Sequence, residues 1–304
     1  MYDLAALIVG IALLVGGLFT MRFGLMNIFS HSFRHILTQL TLTPLRGLVI
    51  GTIAAAVMQS STALTLITVG LVSAEYLTFY AGLGIILGAN IGTCSTVQLL
   101  TISPPIEYLL PALLLSALLA VSAKYRTYAL AALGLFAMFT GLSLVTTTMG
   151  KLAEISTVVK YLADTSHSPV YGIGGGILLT FLFQSSSAAT GLLMVLTQEG
   201  IIDLTGAAYG VYGNNIGSCL PSLIAGLAAP LSAKRVALSH IVLNLLGVML
   251  FFPFSNLLIK IATLLSGDLA GQVAMIHTLF NVISSLAVLP FVKPFAKLIT
   301  ILVP

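Results

Sequence analysis

Two stretches of this chain repeat each other at a fixed offset, and each carries polar residues in the middle of apolar sequence. Pro44–Cys94 aligns without a gap on Pro169–Cys219, an offset of 125 residues, with 14 identities in 51 positions. The identities cluster. Gln59-Ser60-Ser61-Thr62-Ala63 matches Gln184-Ser185-Ser186-Ser187-Ala188, and Gly88-Ala-Asn90-Ile91-Gly92-Thr93-Cys94 matches Gly213-Asn-Asn215-Ile216-Gly217-Ser218-Cys219. Leu, Ala and Gly inflate chance identity between apolar segments, but they do not put two polar clusters at one spacing twice. The pattern is a duplication. A polar run inside a membrane-length apolar segment must face protein or a water-filled cavity. The fold therefore has to bring two equivalent polar clusters inside.

The solvent for that fold follows from charge. Only 20 of 304 residues are charged, 12 basic and 8 acidic, and mean hydropathy is +1.12. Ordinary soluble domains carry about 25 % charged residues. So few cannot cover a soluble globule of this length. This excludes a cytosolic enzyme, a secreted domain and a disordered scaffold, and leaves an all-α polytopic membrane protein. The net charge of +4 comes with no basic cluster larger than Lys234-Arg235, so no nucleic-acid partner is expected. Cys94 and Cys219 both lie in apolar segments and form neither a disulfide framework nor a zinc site. The first apolar run has Asp3 in front and Arg22 behind, the reverse of a secretory signal.

Length and flanks give full spans at about 4–20, 77–103, 106–123, 128–148, 203–229, 236–256 and 269–290. Segments 27–42 and 150–164 are shorter and more polar and read as interfacial helices. Segments 45–73 and 168–198 carry Gln and Ser in mid-run and read as re-entrant hairpins. With residue 1 outside, nine basic residues fall inside: Arg22, Arg34, Arg46, Lys124, Arg126, Lys234, Arg235, Lys293 and Lys297. Only Lys151, Lys160 and Lys260 fall outside, and the C-terminus is cytoplasmic. The two hairpins then enter from opposite faces. The expected fold is one membrane domain over 1–304: a first inverted repeat at 1–125, a second at 126–256, and a C-terminal span and tail at 257–304. Inverted repeats, each with a re-entrant hairpin and a broken helix, are a transporter architecture.

The polar residues suggest the cargo. Glycines 88, 92, 213 and 217 permit a helix break or close approach. Broken helices offer N–H groups to anions and C=O groups to Na⁺. Hydroxyls and amides serve both. The expected site contains no Arg, Lys, Asp or Glu, so a multiply charged anion there needs co-bound cations. Oxygen-only ligands suit Na⁺. His240 and Asn244, and His277 and Asn281, share the four-residue spacing that puts each pair on one helix face. They read first as interhelical hydrogen bonds and second as a proton or pathway element. His31 and His35 read as headgroup contacts. No Ser–His, paired Asp or metal set stands within the spans, so no enzyme is expected.

The paired Gln-Ser-Ser-(Ser/Thr)-Ala and Gly-(Ala/Asn)-Asn-Ile-Gly-(Thr/Ser) motifs resemble the type II sodium–phosphate cotransporter family. Leu13–Leu25 is similar to that family's Gly-rich first helix, and Lys234–His240 and His277–Asn281 are similar to its later helices. The resemblance covers nearly the whole chain. It implies Na⁺-driven import of inorganic phosphate by alternating access, with no cofactor beyond the transported Na⁺. It also implies phosphate binding by Gln59, Ser60, Ser61, Thr62, Gln184, Ser185, Ser186 and Ser187. Asn90, Thr93, Asn215, Ser218, Thr65 and Thr190 are the residues expected at Na⁺. Thr62 replaces a Ser of the family pattern, Cys94 and Cys219 stand where a second Thr is usual, and Ala55 stands opposite Thr180 of the second half. Many bacterial relatives carry a soluble C-terminal domain resembling phosphate-signalling regulators; a short prokaryotic-type member without one is expected here. Expected partners are phosphate, Na⁺ and lipid of the plasma membrane, with a homodimer allowed. Two alternatives stay open: Na⁺-coupled transport of another anion, such as a dicarboxylate or sulfate, and an ion channel.

Overall fold

The computed structural model describes residues 2–40, 43–102, 104–152 and 168–304. Among them all regular structure is helical. Most of the interfacial helix expected over 150–164, and the side chains of His31 and His35, lie outside the described residues.

Helix α1 runs unbroken over Tyr2–Leu40, about 58 Å at 1.5 Å per residue. Over 27–40 the expected separate interfacial helix merges into α1, because neither proline nor glycine interrupts the chain there. Its partner is α6 (Arg126–Leu152), which lies antiparallel to it. Gly10, Gly17 and Gly24 recur every seven residues on α1 and meet Val145, Met138 and Ala131; Gly134 and Gly141 answer from α6. A Cβ at Gly17 or Gly24 would strike the backbone of α6, so the two backbones are in direct contact. Such contacts drive helix association where the solvent is as apolar as the side chains.

Each repeat then opens with a helical hairpin. Helices α2 (Pro44–Met58) and α3 (Ser61–Ser73) form the first, and α7 (Pro169–Phe183) and α8 (Ser186–Gln198) the second. Their limits match the polar hairpin segments read from the sequence. Pro at the first helical position starts α2 and α7, where its missing N–H costs nothing. Next come α4 (Phe79–Leu100) and α9 (Leu204–Gly217).

The break expected in α4 is absent. The helix passes through Gly88-Ala-Asn-Ile-Gly-Thr-Cys without interruption. The repeated glycines serve close approach instead. A Cβ at Gly88 would hit the Leu48 carbonyl and one at Gly92 the Thr52 carbonyl, both on α2. Gly213 and Gly217 make the matching contacts with Ile173 and Ile177 on α7. The second half does interrupt, but mildly. After Gly217 a two-residue turn leads into α10 (Leu220–Leu227), and Ser218 and Cys219 keep right-handed helical angles. Pro221 causes the turn, since its missing N–H deprives Gly217 of its intrahelical donor.

Helix α5 (Ile106–Val121) precedes α6, and α11 (Leu231–Phe251), α12 (Ser255–Leu265), α13 (Leu269–Val288) and α14 (Val292–Leu302) complete the chain. Short 3₁₀ turns at Phe252-Pro-Phe254 and Leu289-Pro-Phe291 bend α11 into α12 and α13 into α14. Five stretches are long and apolar enough to cross a membrane: Asp3–Phe29, Phe79–Leu100, Arg126–Lys151, Leu231–Leu265 and Leu269–Leu302. The protein is an all-helical, multi-pass membrane protein.

Its apolar core is divided. One cluster gathers Leu14, Leu100, Met138, Leu193 and Phe280 around α8 and α9; the other gathers Leu37, Leu64, Val72, Ile85 and Phe295 around α3 and the start of α4. Helix α1 contributes its N-terminal half to the first and Leu37 to the second. So α8 leads away from its tip towards one end of α1, and α3 leads away towards the other.

Candidate functional site

The two hairpin tips are built alike. Gln59 and Gln184 cap α2 and α7 in the left-handed region, at φ 54° and 49°. Non-glycine residues occupy that region at a cost of about 1–2 kcal/mol. Each Gln folds its amide nitrogen back onto the preceding turn, on the carbonyl of Ala56 or Phe181. Ser60 and Ser185 follow in extended conformation, both at φ −157°. Their hydroxyls accept from Ala63 N and Ala188 N, at 3.2 and 3.3 Å, and so cap α3 and α8. The first N–H groups of each helix have no intrahelical acceptor and carry the positive end of its dipole. Two such ends face one cleft.

That cleft contains a charge the sequence reading excluded. Arg22, expected at the inner face, is 8 % exposed in mid-α1. Its Nε donates to the Gln59 carbonyl at 2.7 Å and its Nη2 to Ser185 Oγ at 3.0 Å. One guanidinium therefore joins the tips of both hairpins. Among the described residues the only ion pair is Asp3–Lys151 at the surface, and no carboxylate among them pairs with Arg22. The expectation of an uncharged site is overturned. So is the placement of Arg22 at the inner face. The signal was present: apolar sequence continues beyond Arg22 through Phe29. An ionisable residue inside a span marks a functional site by default.

Arg22 and Thr93 line the cleft with Ser60, Ser61, Thr62, Gln184, Ser185, Ser186 and Ser187. Seven of the eight residues expected at phosphate are thus together. Gln59 enters through its carbonyl, and its own Oε1 is buried without a partner among the described residues. Ser187 Oγ is likewise buried and unpartnered, whereas Thr62 Oγ1 reaches the Ser218 carbonyl at 3.4 Å. The free space is about 10 Å³, room for a water and too small for a tetrahedral oxyanion.

The residues expected at Na⁺ are more dispersed. Thr93 lines the cleft and bonds back to Ala89 O at 2.7 Å. Asn90 turns the other way. It donates to Asn244 Oδ1 at 3.3 Å, and its Oδ1 lies 3.2 Å from His240 Nε2. His240 Nδ1 lies 3.4 Å from Ser222 Oγ, and Asn244 donates to Cys219 Sγ at 3.1 Å. The His–Asn spacing on α11 is therefore an interhelical bond to α4, as first read. On α13 Asn281 bonds within its own helix, to the His277 carbonyl at 2.9 Å. Asn215 and Ser218 bond within the α9 backbone region, to Val211 O and Asn215 O. Thr190 meets Asn214, and Asn214 also meets Thr180, at 3.0 and 3.1 Å. With its amide turned the other way, Asn214 keeps both hydroxyls and adds the Gly176 carbonyl at 2.9 Å. Thr65, the first-half counterpart of Thr190, has no partner for its buried hydroxyl among the described residues.

Membrane-length apolar helices packed around a small, buried, cationic polar cleft suit a membrane transporter. The chain belongs to the Na⁺/Pi-cotransporter family, whose model matches it twice, at residues 13–147 and 143–267. It is 32 % identical over 243 residues to YqeW of Bacillus subtilis strain 168, named as uncharacterized, covering 79 % of this chain and 78 % of that one. It is 28 % identical over 262 residues to YjbB of Escherichia coli K12, which bears a provisional name as an inorganic phosphate export protein. That match covers 85 % of this chain and 48 % of YjbB, so the chain spans about half that relative's length. The human sodium-dependent phosphate transport protein 2C is 42 % identical over 110 residues, 33 % of this chain and 18 % of the human one. No solved structure matches significantly.

Proposed function

We propose that this protein carries inorganic phosphate across the plasma membrane together with Na⁺, by alternating access, through the cleft between the two hairpin tips. The observation that carries this is the convergence of Arg22 with the N-terminal ends of α3 and α8. Three sources of positive potential in a water-poor cleft favour an oxyanion. In this reading the hydroxyls of Ser60, Ser61, Thr62, Ser185, Ser186 and Ser187 complete its coordination. Arg22 supplies one positive charge, so a divalent phosphate leaves one negative charge for a co-bound cation. Thr93, the unpartnered Ser187 hydroxyl and the carbonyl that Thr62 reaches are oxygen ligands of the kind Na⁺ takes. Asn90, Asn215, Ser218, Thr65 and Thr190 support that site from the surrounding helices.

The opposed courses of α3 and α8 support inverted repeats. So does the length of α2 and α7, 15 residues each and about 22 Å, too short for a 30 Å hydrocarbon core and suited to re-entrant hairpins. Without Arg22, eight basic residues remain assigned to the inner face against three outside, which still favours a cytoplasmic C-terminus. A symporter runs in the direction its summed gradients set. An inward Na⁺ gradient makes this one an importer, although YjbB is named for export.

Phosphate uptake into proteoliposomes with a set Na⁺ gradient tests the reading. Replacing Na⁺ by choline abolishes accumulation if it holds; undiminished accumulation refutes it. A guanidinium in the site suits a carboxylate as well as a phosphate. Competition by succinate and sulfate therefore belongs in the same assay, and phosphate is expected to win.

A further inference from the structure

Beyond the cleft the structure holds a second cavity, and the two share helix faces. It is about 180 Å³ in size and lies between the C-terminal ends of α4 and α8, the C-terminal half of α6 and the start of α13. Ile102, Thr147 and Gln198 are exposed at its mouth, while Leu100, Phe139 and Met194 are buried at its floor. Ser143 and Thr146 make one wall polar without charge. On α8, Ser187 of the cleft, Gly191, Met194 and Gln198 follow at intervals of four, three and four, a single helix face. On α4, Thr93 of the cleft, Thr96 and Leu100 likewise share a face. Thr96 Oγ1 is fully buried there and has no partner among the described residues. The distance along α8 from Ser187 to Gln198 is about 16 Å.

Between cavity and cleft on that face of α8 lies Gly191. A Cβ at Gly191 would lie 3.1 Å from Leu100 Cδ1 and 4.0 Å from both Leu14 and Leu142 Cδ atoms. Leu100 thus packs tightest over Gly191, with Leu14 and Leu142 just beyond it, so four helices converge there. We propose that the cavity is an entry vestibule of the transport path, and that the leucines gathered over Gly191, Leu100 foremost with Leu14 and Leu142 beside it, are its gate. The vestibule's neutral hydroxyls and amide exchange for hydration water of either ion without trapping it. Gly191 leaves room for Leu100 to close towards the α8 backbone, and withdrawing Leu100 or its neighbour Leu142 opens a way to Thr96, Thr93 and Ser187. The proposal rests on the cleft being the transport site.

Thiol labelling in proteoliposomes tests it. In Thr146→Cys, a membrane-impermeant anionic methanethiosulfonate applied to the vestibule face is expected to lower phosphate flux roughly tenfold, as filling a path does. The parent protein, whose Cys94 and Cys219 are buried, should not respond. Labelling with no loss of flux, or no labelling from either face, overturns the vestibule. For the gate, Ser187→Cys is labelled with and without Leu100→Ala, with Leu142→Ala as a second opening in case the first variant folds poorly. Faster labelling from the vestibule face in either opened variant supports the gate. Unchanged labelling, or acceleration only from the other face, overturns it. The Ser187 readout needs no transport. A parent that moves no phosphate would thus refute the proposed function while the gate is still decided.

Discussion

The two hairpins share a tip and differ in what fastens it. Both tips have a left-handed Gln, an extended capping Ser and a helix that begins one residue later. In the second half Asn214 of α9 bridges Thr180 on α7 and Thr190 on α8, so all three helices are tied by buried hydrogen bonds. In the first half the same register holds Ala55, Ala89 and an unpartnered Thr65. Arg22 adds a further asymmetry, since its counterpart 125 residues on is Thr147, at the mouth of the vestibule. The tip is thus the part kept alike after duplication, and its supports have diverged. The second tip is a fixed jaw. The first rests on the Gln59 amide against Ser95 of α4 and the Thr62 hydroxyl against the Ser218 carbonyl, and is held to the second through Arg22.

Removing Arg22 should break this arrangement most severely. A charged hydrogen-bonding group is worth about 1.5–3 kcal/mol per bond, and Arg22 serves both tips. Arg22→Gln keeps an amide donor without the charge, and is expected to weaken phosphate affinity about a hundredfold, read from the concentration dependence of uptake at matched expression. Arg22→Lys should recover only part of this, because an ammonium cannot donate along two fixed directions.

The tips themselves come next. Ser61→Ala and Ser186→Ala each remove one hydroxyl from the cleft, and each should lower affinity roughly tenfold with little loss of expression. Unchanged kinetics in both variants would take the tips out of the binding site. An effect in only one would mean that the tips have diverged in function as well as in support.

The smallest effect concerns the fastening. Thr190→Val leaves Asn214 short of a partner and should cost about 1–3 kcal/mol of stability. Thr65→Val removes a hydroxyl that has none, and should be neutral or slightly stabilising. Thermal unfolding of the two purified variants in detergent measures the difference. Equal losses would erase the distinction between the halves.

Much of this molecule was legible before the fold. Hairpin limits at 45–73 and 168–198 followed from Gln and Ser inside apolar runs, and the helices found there end within a residue or so of those limits. Helix breaks were less legible. Gly88 and Gly92 look like breakers in sequence, yet α4 stays helical because α2 packs where their side chains would be. Asn90 looked like an ion ligand, and His240, 150 residues away, turns it towards α11.

The sequence alone determined the membrane, the duplication and the two tips. These depend on local chemistry: charge too sparse for water, and Ser beside Gln at a helix start. Only the tertiary structure decided where the charge of the site comes from. Arg22 lies 37 residues from Gln59 and 163 from Ser185, and no spacing along the chain encodes either contact. It reaches them because glycines seat α1 against α6, and that packing carries a guanidinium into the cleft between the tips.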